Sequence, residues 1–327
     1  MAAAEERDGV SLTNLDQPLF PDAGATKRDL VDYLDAARDF LLSELHDRPL
    51  SVVRVLRGQQ AFMQKNVPKY TPDWVRTVSL WAETSQRDVH YALCDDRRTL
   101  LWFGNQRAIE YHPTLSRVAA LEQASHLVLD LDPPEDAGGP AGFRQAVAAA
   151  LLVRQALHDL GLDGAVKTSG AKGVHVFVPI TAAVAMPDAA AATRAIAARA
   201  ERIDPDLATT AYLRADRGGK VFVDSTRAGG ATVIAAYSPR ARPGTPVSFP
   251  VPWREIENVT PADFTVRTAP ALLASQDSWR TEMPAPQDLS ADLVAEGHEI
   301  PVARVAAMHE GKRRKRAAEQ AEQPEPT

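Results

Sequence analysis

The run His126-Leu-Val-Leu-Asp130-Leu-Asp132-Pro carries the clearest chemical signal in the chain. Alternation along a strand puts Asp130 and Asp132 on one face and Leu127, Leu129 and Leu131 on the other. Two carboxylates at a strand end, beside a proline break, offer hard oxygen ligands suited to Mn²⁺ or Mg²⁺. Alone, such a D-x-D is more often a solvated strand end than a site. A third acid changes the balance, because Val221-Phe-Val-Asp224 is another apolar strand closed by aspartate. By itself Asp224 reads more readily as a turn residue before Ser225-Thr226. Together, three strand-end carboxylates are what two-metal phosphoryl transfer uses.

Two further blocks have the chemistry to meet a polyphosphate. In Lys167-Thr-Ser169-Gly-Ala-Lys172-Gly173-Val-His175, glycines let backbone N–H groups approach phosphate, while Ser169 and Lys172 add donors. His175 faces opposite to Val174 and Val176 and so could donate to the same anion. The spacing is not that of a Walker A loop, and a tight hairpin with a surface lysine explains the block equally well. Tyr237-Ser-Pro-Arg240-Ala-Arg242 places two arginines at i and i+2, on one face of an extended segment. A solvated loop is the commoner fate of such pairs. Glu110-Tyr-His112 could add to a metal or DNA site, though a lone histidine is more often structural.

These segments need a scaffold, and the chain is long enough to build one. It has 327 residues, 45% hydrophobic, which excludes wholesale disorder and fits one large domain or two modest ones. One cysteine, Cys94, excludes an internal disulfide framework and cysteine-rich zinc modules, and it fits a reducing compartment. A net charge of −6 argues against a surface that binds nucleic acid everywhere, but not against a local basic groove. No apolar run approaches the ~20 residues of a membrane span, and the start, MAAAEERDGV, has early acids and no apolar core, so neither a span nor a signal peptide is expected.

Thr26 and Asp29 form a capping pair for a helix whose apolar positions run from Leu30 to Leu45. Strands are expected over 50–56, 61–66, 77–83, 89–94 and 125–132, with 109–112 extended. An alanine-rich helix fills 143–160, strands 166–169 and 174–180 flank the Gly170–Gly173 turn, and a second long helix covers 189–203. A strand over 220–224 and a strand or extended stretch over 229–236 follow, then short helices near 253–257 and 271–275. The end, Lys312-Arg-Arg-Lys-Arg316 followed by Glu, Gln and Pro, reads as a disordered tail. Mixed elements without strict alternation give an α+β or α/β class.

In order and spacing, these blocks resemble a known family. The carriers are Lys27 in a G-x-T-K opening, Phe62-Met-Gln-Lys65, Glu110-Tyr-His112, Asp130-Leu-Asp132-Pro, Ser169-Gly-Ala-Lys-Gly-Val-His175, Phe222-Val-Asp224 and Tyr237-Ser-Pro-Arg240-Ala-Arg242. Over roughly residues 12–256 the chain resembles the polymerase domain of bacterial ATP-dependent DNA ligase D, in the archaeo-eukaryotic primase superfamily. The resemblance implies an α+β catalytic core, with an RRM-like antiparallel sheet, a second mixed sheet and the active site between them. The expected domain limits are 1–14 for a polar, flexible N-terminus, 15–285 for the primase-polymerase catalytic domain and 286–327 for a C-terminal extension with the disordered basic and acidic tail. Asp130, Asp132 and Asp224 would be the carboxylates of a two-metal Mn²⁺ or Mg²⁺ site. Ser169, Lys172, Gly173, His175, Arg240 and Arg242 would hold the incoming NTP or dNTP. Lys27, Phe62, Lys65 and His112 would meet DNA, Lys27 at a 5′-phosphate and Phe62 against a template base.

The implied activity is template-dependent nucleotide addition to primer ends and short gaps during end joining. Its substrates are gapped, overhanging or 5′-phosphorylated DNA, its partners a DNA-end binder and a separate ligase, and its location the cytoplasm at the nucleoid. A primase that starts chains de novo and an inactive DNA-end-binding module are the alternatives. A D-x-D-x-T phosphatase is disfavoured because Pro134 stands at the threonine position. Two departures from the family pattern stand out. Asp224 is followed by Ser225-Thr-Arg-Ala instead of an aromatic and polar residues. The early motif reads Asp16-Gln17-Pro-Leu-Phe-Pro21, with glutamine in place of lysine.

Overall fold

The computed structural model describes residues 5–82, 86–181, 184–228, 230–273 and 277–302. The basic tail expected after residue 302 lies outside the described residues, as do parts of the stretches expected over 77–83, 229–236 and 271–275. Among the described residues, no helix is long and apolar enough to cross a membrane.

Two five-stranded sheets organise the molecule. The mixed sheet has the order β11-β12-β8-β10-β9. Its strands are β8 (His126–Asp132), β9 (Ala165–Thr168), β10 (Val174–Pro179), β11 (Ala208–Thr209) and β12 (Val221–Asp224), with only β11 and β12 parallel. Val- and Leu-rich runs suit a strand buried on both faces, and every residue of β10 and β12 is buried. Helices α4 (Gly139–His158) and α5 (Met186–Ile203) pack against this sheet and each other. The other sheet is antiparallel: β3 (Leu50–Arg54), β4 (Phe62–Gln64), β5 (Thr77–Ala82), β6 (Arg87–Ala92) and β7 (Ala108–Pro113). Helix α3 (Arg97–Asn105) packs on β7 and on α1 (Lys27–Ala36). The stretch 232–235 runs in extended form beside β7, through Val233 N–H to Pro113 O and Ala235 N–H to Tyr111 O. This is the α+β core with an antiparallel and a mixed sheet that the resemblance implies.

Three local differences from the sequence reading have physical causes. The single helix expected to Leu45 is two helices, α1 and α2 (Arg38–Leu45), broken at Ala37. The break lets both wrap Tyr237: the Tyr33 hydroxyl donates to its carbonyl at 2.7 Å, and Phe40 packs on its ring at 5.3 Å. The N-terminal residues expected to fray include a hairpin, β1 (Glu5–Arg7) with β2 (Val10–Leu12). Arg7 ties that hairpin to Asp32 and Asp35 of α1, a link carried by charges that an apolar pattern does not register.

The third difference lies beyond residue 285. Short helices α6 (Ala269–Leu273) and α7 (Ser278–Glu282) lead to α8 (Ala291–Glu299), which packs closely on α5. Gly297 makes that contact possible, because a β-carbon there would collide with the Ala191 carbonyl. Arg194 donates to the Gly297 carbonyl, and Arg199 pairs with Glu296 at 2.6 Å. Gly297→Ala is therefore expected to push α8 off its seat and cost about 1–3 kcal/mol, as overpacking does. A thermal melt unchanged from wild type would show that the contact yields freely.

Candidate active site

Strand register brings the chemistry together. Asp130 on β8 stands directly opposite Asp224 on β12 and His175 on β10, so all three side chains share one face. Asp132 lies two residues further along the same face. His175 Nε2 is 3.1 Å from Asp130 Oδ1, and its Nδ1 is 2.9 Å from the ammonium of Lys167, the residue opposite it on β9. Lys167 also donates to Ser248 Oγ at 2.6 Å, and that hydroxyl in turn donates to the Thr168 carbonyl. With Lys167 donating to Nδ1, the ring proton sits on Nε2 and faces Asp130.

Electrostatics separate the carboxyls. Burial opposes charge on Asp130, but His175 and Arg227 outweigh it and hold the group well below the usual carboxylate range. Asp132 is pushed up to about 6 by burial and by the negative charges of Asp130 and Asp224. Burial and the Lys167 charge lower His175 to about 4, so it is neutral at pH 7.

Above these groups lies a cavity of about 400 Å³ lined by both layers of the molecule. Asp130, Asp132 and His175 form one wall, while Ser169, Lys172, Arg240, Arg242 and His112 bring donors to it. Gly170 sets the closeness of two walls: it has φ +67°, and a β-carbon there would stand 2.7 Å from Arg240 Cγ and 2.9 Å from Ser248 N. Arg240 donates to the Ser169 carbonyl at 2.6 Å and lies 3.2 Å from Glu110. Glu110 also accepts from Ala241 N–H and pairs with His112 Nε2 at 2.9 Å. Burial works to raise Glu110, but the His112 hydrogen bond and the Arg240 charge bring it down to about 2.

Several of the expected site residues have partners within the protein that the sequence does not reveal. His175 lines the cavity but is 4% exposed, and both its ring nitrogens have protein partners, Lys167 and Asp130. Gly173 packs under the Leu131 carbonyl and gives its N–H to Ser169 Oγ, which makes it a turn former. His112 faces the cavity with Arg240, not a separate DNA surface. Lys65 lines a neighbouring cavity of about 980 Å³ with Asp132, Arg194, Arg214 and Arg217. Phe62 and Met63 of β4 are both exposed, on opposite faces of the strand, and neither lines either cavity.

Lys27 is likewise partnered within the protein. It is 3% exposed, and its ammonium is held by Thr13 O at 2.6 Å and Asn105 Oδ1 at 2.7 Å, an internal strut more than an open cation. Burial and the Arg107 charge lower it to about 8. Between pH 8 and 10.5 the unfolded chain thus keeps a proton that the folded chain has lost, and folding gains as pH rises through that window. The stability of wild type relative to Lys27→Met should therefore increase from pH 8 to 10.5. A difference that stays flat in denaturant titrations across that range would contradict the buried strut.

Three residues of the site escaped the sequence reading: Lys167, Glu110 as the seat of Arg240, and Arg227. The Arg227 guanidinium reaches Asp130 Oδ2 at 2.9 and 3.2 Å and lies 3.4 Å from Asp224 Oδ2. Among the described residues, no three His, Cys, Asp or Glu side chains group tightly enough to grip an ion as they stand. The donor chemistry still fits a hard divalent cation. Three carboxylates share one face, and burial together with the charges of Asp130 and Asp224 raises Asp132, a cost that a cation would relieve.

The sequence matches the family described as LigD, primase-polymerase domain, over residues 26–279. It is 33% identical over 264 residues to the bifunctional non-homologous end joining protein LigD of Bacillus subtilis, covering 79% of this chain and 41% of that protein. It is also 33% identical over 268 residues to the multifunctional non-homologous end joining DNA repair protein LigD of Mycobacterium tuberculosis, covering 79% of this chain and 34% of that protein. The chain thus spans well under half the length of these relatives. The fold is similar to the polymerase domain of Mycobacterium tuberculosis ligase D solved in complex with DNA, with a TM-score of 0.75 and 31% identity over 86% of this chain and all of that one. By sequence and by fold, the chain belongs to the LigD primase-polymerase domain family.

Proposed function

We propose that the chain is a template-dependent nucleotidyltransferase that extends primer ends into short gaps during end joining, with rNTP or dNTP as substrate. The observation that carries this reading is one cavity with Asp130 and Asp132 on one wall and Ser169, Lys172, Arg240 and Arg242 around it, with Asp224 opposite Asp130 on the next strand. In the reaction a primer 3′-oxygen bonds to the α-phosphorus, the bond from that phosphorus to the bridging oxygen breaks, pyrophosphate leaves and the hydroxyl proton passes to solvent water. Asp130, Asp132 and Asp224 would hold Mn²⁺ or Mg²⁺, which supplies charge neutralisation and an acidified hydroxyl when bound. His175, fixed by Lys167, keeps Asp130 ionised and aimed at the cavity. Arg240, Arg242 and Lys172 would take the charge of the triphosphate.

The DNA would run past Phe62 and the cationic cavity around Lys65, Arg194, Arg214 and Arg217. A DNA-end binder and a ligase would complete end joining. Recognition of a 5′-phosphate would be weak, because Gln17 is uncharged and Lys27 is held internally. The test is extension of a labelled primer on gapped DNA, with and without a 5′-phosphate, with Mn²⁺ and each nucleotide set. Absence of extension on every substrate and with either metal would refute the reading.

A further inference from the structure

Asp130 and Asp224 each commit one oxygen to the protein. Asp130 Oδ1 meets His175 Nε2 at 3.1 Å. Asp224 Oδ1 accepts from Thr226 N–H at 2.8 Å and from Thr226 Oγ1 at 2.6 Å. The remaining oxygen on both, Oδ2, faces the Arg227 guanidinium at 2.9 and 3.4 Å. These are the two carboxylate oxygens that His175 and Thr226 leave free for a shared cation.

Arg227 is built to leave. It stands three residues past Asp224, in the loop after β12, and its side chain is 35% exposed while those of Asp130 and Asp224 are 10% and 9% exposed. It lines the main cavity and the neighbouring one, so it has space on both sides. Both cavities also hold Arg214 and Arg217, so a triphosphate bound there would find a group of cations and could receive the displaced guanidinium as one more.

We propose that Arg227 is an internal competitor for the divalent cation: guanidinium and metal exchange on the Oδ2 atoms of Asp130 and Asp224, and the triphosphate accepts the guanidinium when it is displaced. The proposal rests on reading the three carboxylates as the metal site. Two consequences follow from the exchange. Metal binds more weakly to the protein alone than the carboxylates would otherwise allow. Metal and nucleotide strengthen each other's binding, because the second ligand gives the released cation a partner, and such coupling is reciprocal.

The experiment measures Mn²⁺ binding to the whole chain by calorimetry and by the loss of the free-ion electron-resonance signal, with and without a non-hydrolysable nucleoside triphosphate. Wild type, Arg227→Gln, Arg227→Lys and Asp130→Asn are compared. Without nucleotide, Arg227→Gln should bind Mn²⁺ roughly ten- to a hundredfold more tightly, the size of a lost charge-assisted bidentate contact. Arg227→Lys keeps the charge without the fork and should fall between wild type and Arg227→Gln. The gain in Mn²⁺ affinity that the triphosphate gives wild type should shrink in Arg227→Gln. Unchanged or weaker Mn²⁺ binding by Arg227→Gln, with binding still lost in Asp130→Asn, overturns the competition and leaves the metal site standing. No Mn²⁺ binding by any of the four proteins, with or without nucleotide, overturns both.

Discussion

Asp224→Asn abolishes nucleotide addition and leaves the fold standing: this is the expected result for the carboxylate that closes β12. The substitution preserves shape and keeps the oxygen that Thr226 uses, so the turn after the strand can survive. What it removes is one negative charge from the face that Asp130, Asp132 and Asp224 share, on which the proposed cation would depend. Loss of a single metal carboxylate is worth about 4 kcal/mol of transition-state stabilisation or more, which is about a thousandfold in rate. Single-turnover primer extension reads the rate, and a circular-dichroism melt within a few degrees of wild type shows that the protein is folded. Extension within tenfold of wild type by a folded Asp224→Asn protein would remove Asp224 from the metal set. Asp130→Asn should lose as much activity and, in addition, some stability, because His175 and Arg227 both lean on that carboxylate.

How far the site could be read from the sequence followed from how local each signal was. Asp130, Asp132 and Asp224 were legible because period-two alternation and a proline stop act within a few residues. The two-sheet architecture came through the resemblance, whose motifs are short runs in a fixed order. What stayed hidden depended on register. Lys167 sits opposite His175 only because β9 and β10 pair that way, and a lysine inside an apolar strand otherwise reads as an edge residue. Glu110 meets Arg240 across 130 residues of chain, through the pairing of 232–235 with β7. Arg227 appeared only as a departure from the family pattern, and its meaning needed the position of both Oδ2 atoms. The surroundings of Lys27 were hidden although its motif was clear, because burial against Thr13 and Asn105 is a tertiary fact.

Arg240→Ala should raise the KM for the nucleoside triphosphate by about ten- to a hundredfold while changing kcat much less, matching a lost charge-assisted contact of roughly 1.5–3 kcal/mol. The guanidinium enters the cavity already oriented, with one nitrogen on the Ser169 carbonyl at 2.6 Å and another beside Glu110 at 3.2 Å. Such fixing lowers the rotamer entropy lost when an anion binds. Glu110→Gln tests that step without removing the cation. The amide keeps an oxygen for Ala241 N–H but loses the charge that holds Arg240, so the KM should rise by a smaller factor than in Arg240→Ala. In the double variant the two effects should fall short of their sum, because Glu110 acts through Arg240. Additive effects, or a fall in kcat with KM unchanged, would place Arg240 away from the triphosphate and leave Glu110 as a structural anchor for the 240–242 segment.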